Sequence, residues 1–342
     1  MNIQENILLK DLTTFRFGGA ARYFGIVKSE EDLREAFAFV KSRKLPLFVL
    51  GGGSNLLISD QGFSGLIIKN EIKGIKFSDL PAPVGTGGDT IRVEIGAGEV
   101  LDEIITLANI RNLSGLENLS GIPGTVGGAA VQNAGAYGAE IKDCLVSVCG
   151  LNSTNGKEFN FKREDCQYGY RDSIFKKSKK YIVTAVTLEL SKKPAFNLDY
   201  AGLKNKLINE TKITIPKIRE AVLKIRSEKL PDWRLVGTAG SYFKNPIITA
   251  KKYSDLKLKF PDLPAYSEPH NKVKVSLAWI LDKACGLKGY SLGPVALYEK
   301  QPLVLVNLGG ATAHDVIALV QKVKSLVKEK TGLDIEEEVE RV

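Results

Sequence analysis

GIPGTVGGAAVQNAGAYG, residues 121–138, is the part of the sequence that says most about the fold. Six glycines and four alanines among its 18 residues leave little side-chain volume from which to build a core. Such a segment is useful where the backbone itself lies against something else, either a ligand or another stretch of backbone. Gln132, Asn133 and Tyr137 add donors, acceptors and a ring beside otherwise bare backbone, and they favour the ligand.

A second glycine-rich stretch, GGGSN at 51–55, follows an apolar run that predicts a buried strand. Its glycines bring backbone N–H groups close to a ligand, and Ser54 and Asn55 add donors suited to phosphate oxygens. The alternative is a tight turn. The spacing is not that of a Rossmann fingerprint, since Leu56 stands where the last glycine should be, and the sequence has no Gly-Lys-Ser/Thr. Together the two stretches predict one site for a phosphate-bearing cofactor.

The composition is that of an ordinary globular protein of two or three domains, with 342 residues, 44% hydrophobic and 25% charged. Its apolar runs are far below the roughly 20 residues needed to span a bilayer, and the N-terminus does not resemble a signal peptide, so we expect a cytoplasmic protein. Four cysteines without a C-x-x-C pair and two histidines predict reduced thiols and no metal site.

The net charge of +9 is compatible with either nucleic acid or small anionic substrates. The basic residues are dispersed along the chain. The densest cluster, residues 176–180, lacks interleaved aromatics and predicts a solvated turn. Charge alone therefore does not choose between the two kinds of partner.

Apolar periodicity predicts a mixed α+β chain of two or three subdomains without repeats. The predicted helices span 29–43, 99–111, 216–228, 275–285 and 313–330. The predicted strands span 45–50, 65–68, 91–95, 144–150, 157–162, 181–190 and 303–306, and an acidic final strand covers 335–340. Residues 191–216 are polar and predict an insertion or linker.

Two further motifs carry polar side chains beside turn glycines. In YGYRDS, residues 168–173, Arg171 has the side chain best shaped for bidentate binding of carboxylate or phosphate, although an Arg–Asp pair with Asp172 is an equal alternative. In GTAGSYFKNP, residues 237–246, Ser241 lies on a small-residue turn. A serine nucleophile needs a histidine base, and the two histidines lie in a polar loop and at a helix start, so a hydrolase triad is not favoured.

The motifs GGGSNLL, GIPGTVGGAAVQNAGAYG, YRDSIF, GTAGSYFKNP and AWILDKACGLKG, followed by a C-terminal Glu-Val pair, occur in an order that resembles the UDP-N-acetylenolpyruvoylglucosamine reductase family. Even TTFRFGG, at 13–19, resembles the family's opening. The resemblance covers nearly the whole chain. It implies a flavoenzyme of bacterial peptidoglycan synthesis, with a role in cell-wall biogenesis, the cell cycle, cell shape and cell division.

The implied fold is α+β, with a vanillyl-alcohol-oxidase-like FAD-binding unit of two α+β subdomains and a C-terminal α+β substrate-binding domain. The implied boundaries are 1–70 for the first FAD-binding subdomain, to which the C-terminal strand 331–342 returns, and 71–228 for the second, which includes the insertion 191–216. The substrate-binding domain spans 229–330.

The resemblance also implies a reaction. NADPH reduces FAD, and flavin N5 then delivers hydride to the methylene carbon of the enolpyruvyl ether of UDP-N-acetylglucosamine, giving UDP-N-acetylmuramate. By motif, Ser241 donates the proton to the neighbouring carbon, while Arg171 and Glu338 polarise the substrate carboxylate. The family usually has a proline before this glutamate, and here Glu337 takes that place. Glu338 is the predicted catalytic residue because it directly precedes Val339.

The remaining predicted site residues also come from the resemblance. Those expected to hold FAD are Gly51, Gly52, Gly53, Ser54, Asn55, Gly121, Pro123, Gly124, Thr125, Gly128, Gln132, Asn133, Gly135, Ala136 and Tyr137. Those expected to hold the UDP-sugar are Tyr170, Tyr200, Lys229, Asn245 and Lys274, and Tyr170 and Lys229 would also neighbour NADPH. A tyrosine in the insertion resembles the form of the family in which a loop closes over substrate. The expected protein is a monomer without nucleic-acid or membrane partners.

Two other functions are weighed against this one. An alcohol oxidase or dehydrogenase of the same flavin-binding superfamily would lack Ser241 and the terminal glutamate, and a covalent flavin would need a histidine or cysteine near the cofactor; no histidine lies in 51–138. A basic nucleic-acid-binding protein would be colourless and would bind in a strongly salt-dependent way.

Overall fold

The computed structural model describes residues 1–79 and 89–342. Residues 80–88, part of the predicted second subdomain, lie outside the described residues. The strands are β1 (Ile3–Leu8), β2 (Ala20–Val27), β3 (Leu47–Leu50), β4 (Leu56–Leu57), β5 (Phe63–Asn70), β6 (Ile75–Asp79), β7 (Thr90–Gly96), β8 (Gly135–Ala136), β9 (Ala139–Glu140), β10 (Leu145–Asn152), β11 (Glu158–Lys162), β12 (Tyr181–Ser191), β13 (Gly237–Ser241), β14 (Ile247–Thr249), β15 (Ala265–Glu268), β16 (Lys272–Val275), β17 (Ser291–Leu292), β18 (Val295–Tyr298), β19 (Gln301–Asn307) and β20 (Glu340–Arg341). The α-helices are α1 (Glu30–Arg43), α2 (Leu101–Ile110), α3 (Val126–Gln132), α4 (Ile174–Lys177), α5 (Ala201–Leu207), α6 (Ile215–Lys229), α7 (Ala250–Lys259), α8 (Leu277–Trp279) and α9 (Ala313–Thr331).

The chain forms two compact units, each made of several segments. The first comprises Met1–Ile7, Ala21–Gly52 and Ser64–Arg226, and the second comprises Leu8–Ala20, Gly53–Phe63 and Ser227–Val342. The three-part division expected from the sequence stays a prediction. Among the described residues, no helix has both the length and the apolar character needed to cross a bilayer.

Two sheets build the first unit. One has the order β1-β2-β5-β3, with β3 and β5 parallel, and the other has the order β11-β10-β12-β7-β6, in which all neighbours are antiparallel. The long strand β12 shows why the sequence folds this way, since Ile182, Val186 and Leu188 are buried at a spacing of two or its multiples. β1 was not predicted because its residues are largely exposed or half-buried, and β2 was not predicted because its buried residues, such as Ala21, Phe24 and Val27, do not recur at every second position.

The first helix confirms its sequence signals. Ser29 caps α1 in a capping box with Asp32, and the helix buries Leu33, Ala36 and Phe37 before it ends at Lys44 in the left-handed conformation. The predicted insertion 191–216 contains α5, which the sequence analysis did not expect.

Four- and three-stranded antiparallel sheets form the second unit, with orders β13-β19-β18-β17 and β14-β16-β15. Helix α9 begins at a capping box formed by Thr312 and Asp315 and ends at Gly332, whose φ of +67° suits glycine. Its buried stripe, Val316, Leu319, Val320, Val323 and Val327, belongs to the largest core cluster of this unit.

Two predictions in the second unit are corrected. The helix expected over 275–285 begins at Leu277 and continues as a π-helix from Ile280 to Ala284. The acidic strand expected over 335–340 is wrong, since only Glu340–Arg341 is a strand, parallel to β4. Before it, residues 336–338 pair only briefly with residues 242–244, through two backbone hydrogen bonds and one antiparallel bridge.

Candidate functional site

The two glycine-rich stretches lie against each other in the first unit. A Cβ atom on Gly52 would come 2.6 Å from the Cα atom of Gly124, and one on Gly51 would come 2.8 Å from the Thr125 hydroxyl oxygen. A side chain at Gly52 would therefore collide with backbone. The packing alternative accounts for these two glycines, and their contact with a cofactor stays a prediction.

The remaining residues of GGGSN belong to the second unit. Gly53 has a φ of +65°, and a Cβ atom there would come 2.2 Å from the Leu12 carbonyl oxygen. The amide of Asn55 donates to the Glu338 carbonyl oxygen at 3.1 Å, and the Asn55 carbonyl accepts from the N–H of Glu340 at 3.0 Å. Asn55 thus holds the C-terminal segment, and the contact of Ser54 and Asn55 with a phosphate stays a prediction.

Residues 121–138 fold as a turn, the helix α3 and the hairpin β8–β9. The Thr125 hydroxyl caps α3 by accepting from the N–H of Gly128 at 3.3 Å. Contrary to our expectation, this segment does contribute to a core, because Val126, Ala129 and Ala130 are buried. The small residues allow a short helix to pack closely. Pro123 and Gly124 precede the helix, and Gly135 and Ala136 form β8.

The turn at Gly121 is fixed by a charged pair. The Gly121 N–H donates to the Asp102 carboxylate at 2.7 Å, and Arg219 donates to both oxygens of that carboxylate at 2.7 and 2.9 Å. Burial alone would raise the pKa of Asp102, but these hydrogen bonds and the Arg219 charge outweigh it, so the pKa lies below its ordinary value. The glycine-rich stretch is therefore tied to α2 and α6.

Arg171 has its guanidinium on the same stretch. Its Nη2 atom donates to the Gly135 carbonyl, its Nη1 atom lies 4.0 Å from the Glu140 carboxylate, and its backbone has a φ of +54°. Asp172 pairs with Lys177 at 3.0 Å. The ring centroid of Tyr170 lies 5.3 Å from the Arg171 guanidinium carbon. Arg171 thus takes a sparsely populated backbone conformation that its surroundings must hold.

Asn133 is fully buried beside the segment that contains Arg171. Its amide nitrogen donates to the Gly169 carbonyl at 2.8 Å and to Glu140 at 3.0 Å. Its side chain is thus used within the protein, and its contact with a cofactor stays a prediction. The side-chain oxygen of Gln132 accepts a hydrogen bond from Lys176 at 2.9 Å. Lys176 therefore lies on α4 with a defined partner, and not in the solvated turn that we expected.

Tyr137 and Tyr200 meet edge to face with ring centroids 5.1 Å apart. Tyr200 precedes α5 inside the insertion, so this contact ties the insertion to the glycine-rich stretch. Burial raises the pKa of Tyr137, and the buried guanidinium of Arg226 beside it opposes that rise. The structure brings Arg171, Tyr170, Tyr137 and Tyr200 into the first unit.

The second unit joins Ser241 to the C-terminal glutamates. Ser241 is the last residue of β13, and the next residue, Tyr242, accepts a hydrogen bond at its carbonyl from the N–H of Glu338 at 2.8 Å. Phe243 and Glu337 then form an antiparallel bridge. The two stretches of backbone are thus paired, and Glu338 is bonded to the residue that directly follows Ser241.

The three adjacent glutamates have different surroundings. Glu336 is exposed and pairs with Lys244 at 3.2 Å. Glu337 accepts from Lys324, Arg341 and the Tyr242 hydroxyl. Glu338 is half-buried, and both its N–H and its carbonyl are bonded within the unit. The carboxylates of Glu336 and Glu337 thus have defined partners, and the catalytic role of Glu338 stays a prediction.

The predicted substrate-binding residues of the second unit lie on two elements. Asn245 accepts from the N–H of Leu277 at 3.0 Å, and Lys274 of β16 donates to Glu268. Asn245 lies two residues before Ile247, which pairs with Lys274 across β14 and β16, so these two come together. Lys229 is the last residue of α6.

Comparison with known proteins gives the site its context. A family model described as the UDP-N-acetylenolpyruvoylglucosamine reductase C-terminal domain matches residues 231–342, and one described as an FAD binding domain matches residues 21–161. UDP-N-acetylenolpyruvoylglucosamine reductase of Pseudomonas aeruginosa is 39% identical over 342 residues, covering 99% of this chain and 98% of the relative. The chain belongs to the UDP-N-acetylenolpyruvoylglucosamine reductase family.

Other members of this family agree. The enzyme of Bacteroides fragilis is 43% identical over 339 residues, covering 98% of this chain and 99% of the relative. The crystal structure of UDP-N-acetylenolpyruvylglucosamine reductase from Thermus caldophilus has 29% sequence identity and a TM-score of 0.69, and the match covers 100% of this chain and 99% of that one. The family, the enzyme class and the α+β fold class predicted from the sequence are confirmed, whereas the form of the family with a tyrosine-bearing insertion stays a prediction.

The reductase family fold includes an FAD-binding domain, and the cofactor is FAD. The matched residues 21–161 contain both glycine-rich stretches. The contacts of Gly51 and Gly52 with residues 124–125 are packing contacts within the protein, and the binding of FAD by these glycine-rich stretches stays a prediction.

Sequence reasoning missed two sets of supporting residues in this reductase. One is the Asp102–Arg219 pair that holds Gly121, whose members are 117 residues apart. The other is the set of donors around Glu337. Nothing local to Asp102 or Arg219 signals a pairing over that distance, whereas the glutamate in place of the family's proline did mark position 337 as unusual.

Proposed function

We propose that the chain reduces the enolpyruvyl ether of UDP-N-acetylglucosamine to UDP-N-acetylmuramate, with NADPH as the reductant and Ser241 as the proton donor. The observation that carries this proposal is the hydrogen bond from the Glu338 N–H to the Tyr242 carbonyl, which pairs the two predicted catalytic stretches at 2.8 Å. It lies within residues 231–342, which match the reductase C-terminal domain. The backbone of Glu338 is thus fixed to the residue that follows Ser241, and this support for both residues favours the proposal.

In this proposal the substrate double bond gains a hydride at its methylene carbon and a proton at the neighbouring carbon. FAD, when bound, supplies the hydride that NADPH provides. Ser241 gives its hydroxyl proton to the carbon next to the carboxylate, where negative charge develops. Serine is a weak acid, but a carbanion is a much stronger base, so this transfer runs downhill.

Arg171 and Glu338 stabilise the charge that the substrate carboxylate accepts. Hydride addition to an electron-rich enol ether is feasible only if that carboxylate can take up electron density. Arg171 offers planar N–H donors to it, and Glu338 acts beside it from the stretch of backbone that is bonded to Tyr242. The left-handed backbone of Arg171 supports this role, because such strain concentrates at functional sites.

The remaining residues bind and enclose the ligands. Tyr200 precedes α5 in the insertion 191–216, and we infer that this insertion closes over bound UDP-sugar, as in the tyrosine-bearing form of the family. Lys229, Asn245 and Lys274 supply cations and an amide for the UDP portion, and Tyr170 and Lys229 neighbour NADPH. The proposed enzyme is a monomer that acts in the cytoplasm.

The test is an assay of NADPH oxidation by the purified, yellow protein with and without the enolpyruvyl UDP-sugar. We expect oxidation that depends on this acceptor, with UDP-N-acetylmuramate as the product. A matched reaction in which UDP-N-acetylglucosamine replaces the acceptor serves as the control and should show no turnover. Oxidation at the same rate without the acceptor, or turnover of a simple alcohol in its place, would reject the proposal.

A further inference from the structure

The carboxylate of Glu337, in the C-terminal segment of residues 335–341, accepts hydrogen bonds from three side chains. Lys324 donates to its Oε1 atom at 2.6 Å, and Arg341 donates to both of its oxygens at 2.7 and 2.8 Å. The Tyr242 hydroxyl donates to Oε2 at 3.2 Å. Each oxygen thus accepts two hydrogen bonds, and the side chain is only 14% exposed.

These bonds bring separate elements to one point. Lys324 lies on α9, Arg341 on β20, and Tyr242 directly after β13. The backbone of Glu337 adds a further link through its bridge with Phe243. Glu337 therefore holds the C-terminal segment through both its backbone and its side chain. Its side chain bonds to Tyr242, which follows Ser241, and Glu337 itself directly precedes Glu338.

The charge of Glu337 persists although the group is largely buried. Burial alone would raise its pKa, but the bonds and charges of Lys324 and Arg341 outweigh that effect, and the pKa lies below its ordinary value. Burial and the neighbouring carboxylate raise the pKa of Tyr242, which keeps its hydroxyl a donor. Charge-assisted hydrogen bonds of this kind are shorter and stronger than neutral ones.

We propose that Glu337 is a positioning residue for the reduction, which holds Ser241 and Glu338 in register through Tyr242, Lys324 and Arg341. This inference rests on the proposed roles of Ser241 and Glu338. The position of Glu337 suits this role, because Glu337 directly precedes Glu338 and its side chain bonds to Tyr242, the residue that follows Ser241. Small misplacements of reacting groups lower rates steeply, so a fixed register matters more here than added stability.

Glu336 provides a matched comparison one residue earlier. Its side chain is 76% exposed and its ion pair with Lys244 is 3.2 Å long. Exposed pairs of this kind contribute little. The same substitution at the two neighbouring glutamates therefore separates the Glu337 cluster from any general effect of removing one negative charge.

The test measures the two half-reactions of Glu337→Gln, Glu336→Gln and Ser241→Ala by stopped flow. Reduction of the flavin by NADPH is followed first, and its reoxidation by the enolpyruvyl UDP-sugar second. For Glu337→Gln we expect reoxidation about tenfold slower at saturating substrate, because register is lost, with flavin reduction, FAD content and the half-saturating substrate concentration each within about twofold of wild type. Glu336→Gln should match wild type in both half-reactions.

Three outcomes would overturn the inference. The first is reoxidation of Glu337→Gln at the rate of Glu336→Gln while Ser241→Ala is slow. The second is equal slowing of both half-reactions in Glu337→Gln, and the third is loss of its FAD; these two indicate a general structural role. If Ser241→Ala itself reoxidises at the wild-type rate, the proposed function fails instead. Should Glu337→Gln not fold, Lys324→Met removes one charged donor and is expected to slow reoxidation about threefold; an unchanged rate would overturn the inference.

Discussion

The glycine-rich stretch 121–138 and the C-terminal segment 335–341 work in opposite ways. The first presents backbone, and small residues let its helix and turns pack closely against Gly51 and Gly52. The second presents charge, and the Glu337 cluster fixes its path between Tyr242 and Arg341. One region packs through its backbone and small residues, and the other is held by hydrogen bonds between charged side chains.

This difference explains why the two regions were unequally visible in the sequence. Glycine and alanine enrichment is a compositional signal that can be read without a partner. Three adjacent glutamates carry no such signal. The structure gives Glu336 and Glu337 different partners, Lys244 for the first and Lys324 with Arg341 for the second, and the catalytic role of Glu338 stays a prediction.

The largest expected effect breaks the glycine side of the comparison. Gly52→Ala places a Cβ atom 2.6 Å from the Gly124 Cα atom, and both stretches must move apart. We expect a loss of about 3 kcal/mol in the free energy of unfolding, as for overpacking, together with loss of bound FAD. Denaturant unfolding and the flavin absorbance of the purified protein measure the two effects.

Gly128→Ala is the matched control. A Cβ atom there would lie 3.4 Å from the Thr125 hydroxyl oxygen, an ordinary contact, and the position is inside α3. We expect unchanged or slightly higher stability, because alanine favours helix more than glycine, but weaker FAD binding. Full FAD affinity in Gly128→Ala would show that this glycine serves packing alone.

A smaller effect concerns the charged pair under Gly121. Asp102→Asn should cost about 2 kcal/mol at pH 7, allowing for the partial exposure of the carboxylate. Since the pKa of Asp102 is lowered on folding, its stabilisation is full above the ordinary pKa of about 4 and declines as pH falls through the lowered value.

The measurement is denaturant unfolding of wild type and Asp102→Asn between neutral and acid pH. The difference between their free energies of unfolding should shrink as pH falls below about 4. A difference that stays constant down to pH 2, or one that grows, would contradict the assignment of Asp102 as an ionised partner of Arg219.

The smallest effect compares two helix caps. Ser29→Ala removes the cap of α1, and Thr125→Ala removes the cap of α3 within the glycine-rich stretch. Each should cost about 1 kcal/mol. Thermal unfolding should show similar losses, whereas FAD titration should show weaker binding only for Thr125→Ala. Equal FAD affinity in the two variants would remove Thr125 from the cofactor site.

Much of the fold could be predicted where local signals agree. α1 and α9 have capping boxes and apolar stripes, and β12 alternates over most of its length. Prediction failed for β1, whose residues are largely exposed or half-buried, and for β2, whose buried residues do not recur at every second position. It also failed for α3, because its glycines disfavour a helix by propensity and the helix forms through packing.

The candidate site was predictable only in part for the same reason. The glycine-rich stretches and the Ser241 turn are visible as motifs. The bonds that hold them are long-range, as between Asp102 and Arg219 or between Asn55 and Glu338, and no periodicity encodes such contacts. The β20 pairing with β4 is likewise a contact between distant parts of the chain.

The most direct test of the account is the pair of half-reactions in Ser241→Ala. The variant should keep its FAD and be reduced by NADPH at the wild-type rate, because the glycine-rich stretches are untouched. Reoxidation by the enolpyruvyl UDP-sugar should fall by about 10² to 10⁴-fold, the usual contribution of a general acid. Equal slowing of both half-reactions, or reoxidation at the wild-type rate, would contradict the claim that the glycines hold the cofactor while Ser241 completes the reduction.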